Sequence, residues 1–157
     1  MKNRLFIMLV ASLIISILTV PTVYASECPG AYSIEENVVY LSDGSYVVTT
    51  ITTQESNTSL FSSTQTKSGS KTSTVYSATG STLYSLTVHG TFSYNGSSAS
   101  AKSSSYSYSD ESPLWNFSSA SSYCSGASAT ASGTFKSAIQ AKTLSVTLTC
   151  SVNGALS

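Results

Sequence analysis

The feature that most constrains this chain is a strict two-residue alternation over residues 83–96, LYSLTVHGTFSYNG. One parity carries the apolar or small residues Tyr84, Leu86, Val88, Gly90, Phe92 and Tyr94. The other parity carries Ser85, Thr87, His89, Thr91 and Ser93. Successive side chains of a strand point to opposite faces, whereas a helix would spread these apolar groups around its whole circumference. The alternation therefore predicts a half-buried β-strand.

The rest of the chain repeats short strand patterns separated by turn residues. We predict further strands at 38–41, 46–53, 60–66, 72–78, 99–109, 115–123, 127–136 and 143–152. Predicted turns lie at 42–45, 67–70, 79–81, 95–96 and 124–126. Asn95-Gly96 between two alternating runs is the strongest of these hairpin signals, because glycine adopts a positive φ without steric cost.

Two late strands show which side chains should meet in a core. In the last strand, Leu144, Val146, Leu148, Cys150 and Val152 share one parity and hydroxyl residues share the other. In the strand before it, the apolar parity is small, with three alanines and a glycine ahead of a phenylalanine. Close packing requires large partners above such a face, and the candidates are Phe92, Trp115, Phe117 and the tyrosines.

Seven to nine short strands with no helical segment predict an all-β fold. We expect an antiparallel β-sandwich with an immunoglobulin-like layout. A small closed β-barrel is the alternative, because both folds bury one face of every strand.

The first 25 residues have the pattern of a secretory signal peptide. Lys2 and Arg4 precede an apolar run over residues 5–20, and Val23-Tyr24-Ala25 is a small-residue cleavage pattern. We expect cleavage after Ala25 and a secreted, extracellular protein. Residues 26–43 are expected to be a loosely ordered N-terminal segment, and residues 44–157 the sandwich domain.

Cleavage would leave five lysines against seven acidic residues, a formal charge of about −2. No arginine follows Arg4. A nucleic-acid partner is therefore not expected, because binding the phosphate backbone requires a concentration of positive charge.

Three cysteines remain in the exported chain, so one is left over after any single disulfide. We expect a bridge between Cys124 and Cys150, because antiparallel last strands bring both to one end of the sheet. A bridge between Cys28 and Cys150 is the alternative, and three reduced thiols are the third possibility.

The sequence favours neither catalysis nor metal binding. His89 is the only histidine, and its parity predicts an exposed position on a hydroxyl-bearing face. Adjacent carboxylates at Asp110 and Glu111 would point apart on a strand, so we expect a solvated loop. No catalytic residue, metal ligand or cofactor is predicted.

Three stretches resemble a group of small secreted proteins of Gram-positive bacteria. They are TVYSATGSTLYSLTVHGTFSYNGSS, SGASATASGTFK and the closing VTLTCSVNGALS. The shared pattern is a tyrosine-rich hairpin, a tryptophan after a loop, an Ala/Gly/Thr strand and a Cys-x-x-Asn-Gly ending, over residues 44–157. The resemblance implies an extracellular β-rich domain and brings no activity with it.

We therefore expect a secreted, non-enzymatic protein that binds an extracellular glycan, peptide or protein. Tyr94, Tyr106, Tyr108 and Trp115 are the predicted ligand-binding residues, because amphipathic rings on a rigid sheet make good contact surfaces. The alternative for these rings is that they fill or cover the core.

A membrane-active or pore-forming, bacteriocin-like or toxin-like protein is the second functional hypothesis, since alternating uncharged strands line pores after oligomerisation. The sequence does not indicate an oligomeric state.

Overall fold

The structure, a computed structural model, describes residues 32–54 and 63–157, with side chains of the first strand from Asn37 onward. Within these ranges the chain forms eight strands: β1 (Tyr32–Tyr40), β2 (Tyr46–Gln54), β3 (Gln65–Tyr76), β4 (Thr82–Tyr94), β5 (Ala99–Ser109), β6 (Asn116–Ser125), β7 (Ser128–Lys136) and β8 (Ala141–Thr149). The predicted signal peptide, its cleavage site after Ala25, Cys28 and the start of the strand expected at 60–66 lie outside the described residues.

The strands form two antiparallel sheets, with orders β1-β2-β3-β4-β5 and β6-β7-β8. The sheets pack face to face around one shared core, which confirms the all-β, sandwich-like expectation; they do not close into a barrel. Every neighbour in a sheet is also a neighbour in sequence. The described strands therefore form two successive meanders and lack the Greek-key return that an immunoglobulin-like layout would require.

The predicted parities of β4 and β8 are confirmed by burial. Leu86, Val88 and Phe92 are fully buried, as is Leu148 on the facing strand. His89, on the opposite parity, is exposed. The parity prediction fails only beyond the end of β8, where Val152 is 40% exposed.

The small face of β7 meets a large side chain, but at Gly133 this is Leu86 and not one of the expected aromatic rings. Ala129 and Ala131 are fully buried. A methyl group at Gly133 would lie 3.1 Å from Leu86 Cδ1, so Leu86 occupies the space that a side chain would need. Within β4 itself, the ring of Phe92 folds over Gly90. Small residues on one strand thus accommodate bulky residues on the facing sheet.

The hairpin loop predicted at residues 67–70 is wrong, because these residues lie inside β3. Gly69 pairs with Gly90 across the sheet, and its φ is not among the positive ones. The glycine serves packing instead of a turn: a methyl group there would overlap the Leu156 side chain and lie 3.0 Å from the Thr52 carbonyl oxygen.

The N-terminal boundary differs from the expected one. β1 begins at Tyr32, within the segment expected to be loosely ordered, and pairs along its length with β2. The strand predicted at 38–41 is therefore the end of a longer strand.

The expected bridge between Cys124 and Cys150 is also wrong, because both thiols are free. Cys124 pairs with Ala129 of β7, and Ala129 pairs with Leu148 of β8. β7 thus separates the two cysteines, and two strand spacings amount to about 10 Å. Disulfide geometry requires Cα atoms about 4.4–6.8 Å apart.

Candidate functional site

A cleft arises because the two sheets have unequal widths. The smaller sheet contacts β3, β4 and β5, so β1 and β2 extend beyond its outermost strand, β8. The space beneath this overhang is a cleft of about 580 Å³. Its lining is Asn37, Thr49, Ile51, Lys71, Ser73, Ser145, Val146 and Thr147.

The cleft combines an apolar floor with hydroxyl groups and one cation. Ile51 and Val146 are 9% and 2% exposed. Thr49 and Ser73 are joined by a 3.1 Å hydrogen bond between their side-chain oxygens. Among the described residues that line the cleft, Lys71 is the only charged one. A ligand there would meet both apolar surface and polar groups, which is typical of specific binding sites.

One side of the cleft is the backbone edge of β8. The Thr149 N–H donates to Ser157 O at 2.9 Å, and the Ser157 N–H donates to Thr149 O at 3.0 Å. These backbone groups of Thr149 therefore point away from β7. Alternate residues of a strand point their backbone groups the same way, so those of Thr143, Ser145 and Thr147 face the cleft side. Within the described chain no strand pairs with them.

Both ends of this edge are bounded by other parts of the chain. At the Thr149 end, Leu156 is 8% exposed and packs on Gly69. At the other end, Lys142 Nζ lies 3.4 Å from Asp43 Oδ2, in the turn between β1 and β2. Hydrogen bonds from the Ser45 hydroxyl and backbone N–H, and then the Lys142 amine, lower the pKa of Asp43 below its usual value. The cleft is thus open along its side and bounded at its ends.

The four aromatic residues predicted to bind a ligand do not form one surface. Tyr94 lies at the turn end of β4, where its ring covers Gly154. Tyr106 and Tyr108 lie towards the other end of the β4–β5 hairpin and are 38% and 46% exposed. Trp115 is 8% exposed and packs on Tyr84, with ring centroids 4.8 Å apart.

Tyr108 is stacked on Phe117, with centroids 3.6 Å apart and ring planes inclined by 8°. Tyr108 therefore covers the side of the core while exposing one ring face. Of the predicted set, Tyr106 and Tyr108 are the two exposed neighbours that offer a contact surface.

Sequence reasoning missed a row of tyrosines on the outer face of the larger sheet. Tyr46 lies 5.6 Å from Tyr40 and 5.0 Å from Tyr76, measured between ring centroids. Tyr40 is 76% exposed. The sequence feature that could have predicted part of this row is the position of Tyr40 and Tyr46 on either side of the turn at Asp43. Residues placed in this way become cross-strand partners in a hairpin.

Outer-face hydroxyl groups surround the only histidine of the sequence. His89 Nε2 lies 3.0 Å from Ser107 Oγ.

In the loop after β5, Asp110 accepts a hydrogen bond from the Phe117 backbone N–H at 3.1 Å. The described residues contain no group of three or more His, Cys, Asp or Glu side chains suited to holding a metal ion.

No family model, curated protein or solved structure matches this chain. Among the described residues there is no helix long and apolar enough to cross a membrane.

Proposed function

We propose that this chain is an exported, non-enzymatic protein that binds a ligand outside the cell, and that the ligand occupies the cleft beneath β1 and β2. One observation carries the proposal: five strands lie over three, so β1 and β2 extend beyond β8, and on β2 only Ile51 and Thr53 are buried. Val39, which shares the inward parity of its β2 partner Val47, is 52% exposed. Exposed apolar surface on an inward face is unfavourable unless a partner covers it.

The chemistry of the cleft supports binding over catalysis. Its described lining offers hydroxyl, amide and amine groups but no carboxylate, imidazole or thiol. Export is supported by the leader pattern over residues 1–25.

The test uses a matched pair of substitutions on neighbouring residues of β1. Asn37→Trp fills the mouth of the cleft, whereas Val38→Trp places the same ring on the outer face. Both positions are exposed, so both variants should fold. We expect ligands selected from a glycan array or a displayed peptide library to bind wild type and Val38→Trp and to lose binding to Asn37→Trp.

Equal binding to all three proteins would place the ligand elsewhere and refute the proposed site. A liposome assay tests the competing membrane-active function. Dye release at micromolar protein would contradict the proposal, and intact liposomes would support it.

A further inference from the structure

We infer that the ligand of this cleft is an extended polypeptide segment of another protein, which adds to β8 as a fourth strand of the smaller sheet. The inference rests on the proposed function and specifies its ligand class. Strand addition takes its affinity from main-chain hydrogen bonds and its specificity from alternate side chains.

The first position of such a strand is already occupied by the chain itself. Leu156 forms an antiparallel bridge with Cys150, and Ser157 exchanges both backbone hydrogen bonds with Thr149. The Leu156 side chain points inward onto Gly69 of β3. These residues show that a strand beside β8 fits beneath the larger sheet at this end.

The remaining edge offers a regular set of backbone groups with which none of the eight described strands pairs. Thr143, Ser145 and Thr147 share the parity of Thr149, so each directs one N–H and one C=O towards the cleft. A guest strand of about five to seven residues would pair with this length of edge. An exposed edge of this kind is a ready site for strand addition.

The space next to this edge matches one strand in width and side-chain chemistry. Strands lie about 4.8 Å apart and packed sheets about 10 Å apart, so the guest would lie beneath β2 and β3. Its inward side chains would contact Ile51, Thr49 and Ser73. Lys71 carries the one charge that the structure describes in this lining, so we expect one acidic residue among the inward positions of the guest.

A second folded copy of this chain fits the edge less well than a single segment. Two β8 edges paired about a two-fold axis would bring the β1–β2 overhang of one copy against that of the other. The overhang leaves room for an extended segment and obstructs a second sandwich.

The first experiment selects nine-residue peptides from a displayed random library on the exported protein. Ser145→Pro removes an edge N–H without removing a backbone hydrogen bond to β7, whereas Ser145→Ala keeps the N–H. Both variants lose the Ser145 hydroxyl, which donates to Ala131 O at 3.5 Å, so this loss is matched between them. We expect selected peptides to bind wild type and Ser145→Ala alike and to bind Ser145→Pro about tenfold more weakly or worse, since strand pairing loses a hydrogen bond and meets the proline ring. Failure to select any peptide, or equal binding to the proline variant, would overturn the inference.

The second experiment uses wild-type protein, so it is independent of how well the proline variant folds. A selected peptide is synthesised with N-methyl groups on alternate residues, in each of the two possible registers. We expect one register to abolish binding and the other to leave it within about threefold, because a strand presents alternate N–H groups to its neighbour. Tolerance of both registers would overturn strand addition.

The outcomes separate this inference from the proposed function. Glycan binding that is lost in Asn37→Trp, without peptide selection, would leave the cleft as the binding site and refute a peptide guest. Peptide binding unaffected by Asn37→Trp would refute both the site and the inference.

Discussion

Leu156 and Gly69 should be energetically coupled, because one side chain occupies the space that the other residue leaves empty. Leu156→Ala removes an 8%-exposed side chain from the end of the core. Leucine truncation in a core costs about 2–5 kcal/mol, and we expect about 2 kcal/mol here because water can enter from the cleft. Gly69→Ala places a methyl group where Leu156 Cδ1 lies, and such overpacking costs about 1–3 kcal/mol.

The double variant should be more stable than the sum of the single effects. Shortening Leu156 removes the overlap, so the methyl group at position 69 then fills part of the vacated volume. The close approach to the Thr52 carbonyl remains, so the rescue is partial, and we expect a coupling energy of about 1 kcal/mol or more.

Urea unfolding followed by the fluorescence of Trp115, the only tryptophan, measures the four free energies of unfolding. Val152→Ala serves as the control partner for Gly69→Ala, because Val152 is 40% exposed and its effect should add. Additive effects of Leu156→Ala and Gly69→Ala would refute the packing of Leu156 on Gly69.

Three further predictions concern separate parts of the molecule. Val146→Asp should cost about 3 kcal/mol or more by burying a charge. Thr147→Asp, on the exposed parity, should cost about 1 kcal/mol or less, because it loses only the 3.0 Å hydrogen bond between the Thr147 and Thr130 hydroxyls. Urea unfolding of both variants measures this, and equal effects would contradict the assigned faces of β8. Native protein should react with maleimide rapidly at Cys124 and slowly at Cys150, because Cys150 is 2% exposed and burial raises the pKa of its thiol. Peptide mapping measures labelling at both sites, and fast labelling of Cys150 would be inconsistent with its burial. An NMR titration should give Asp43 a pKa below its unfolded value of about 3.9. Because the folded pKa is lowered, the contribution of Asp43 to stability is full above the unfolded pKa and is lost as pH falls through the folded pKa. An unshifted titration would contradict the hydrogen bonds from Ser45.

The local pattern predicted individual strands better than it predicted their arrangement. The inward residues of β4 and β8 follow from side-chain alternation, which is a property of each strand alone. The turn at Asn95 was predictable because asparagine and glycine favour turn geometry. In the structure Gly96 has a φ of 82°, and Asn95 Oδ1 accepts a hydrogen bond from the Ser98 backbone N–H at 2.8 Å. Both features involve residues that are close in sequence.

The failures depend on contacts between distant residues. Gly69 looked like a turn residue, and its reason for being small is a side chain 87 positions later, Leu156. The Cys124–Cys150 expectation placed both cysteines at one end of the sheet but could not show that β7 lies between them.

The candidate cleft could not be predicted from the sequence, because it too depends on contacts between residues that are distant in the chain. Alternation shows that a strand has an inward face, but it does not show which strand faces it. That the larger sheet extends beyond β8, and that no described strand pairs with the free side of β8, follows only from the strand order of both sheets.

Amide hydrogen exchange on the isotope-labelled protein without ligand tests most directly whether β8 is an open edge. We expect fast exchange at Thr143, Ser145 and Thr147, whose N–H groups face the cleft. Exchange should be slower by about 100-fold or more at Leu144 and Val146, whose N–H groups bond to β7. Equal protection of both sets would mean that this edge is already paired, and the binding cleft and the added strand would both be contradicted.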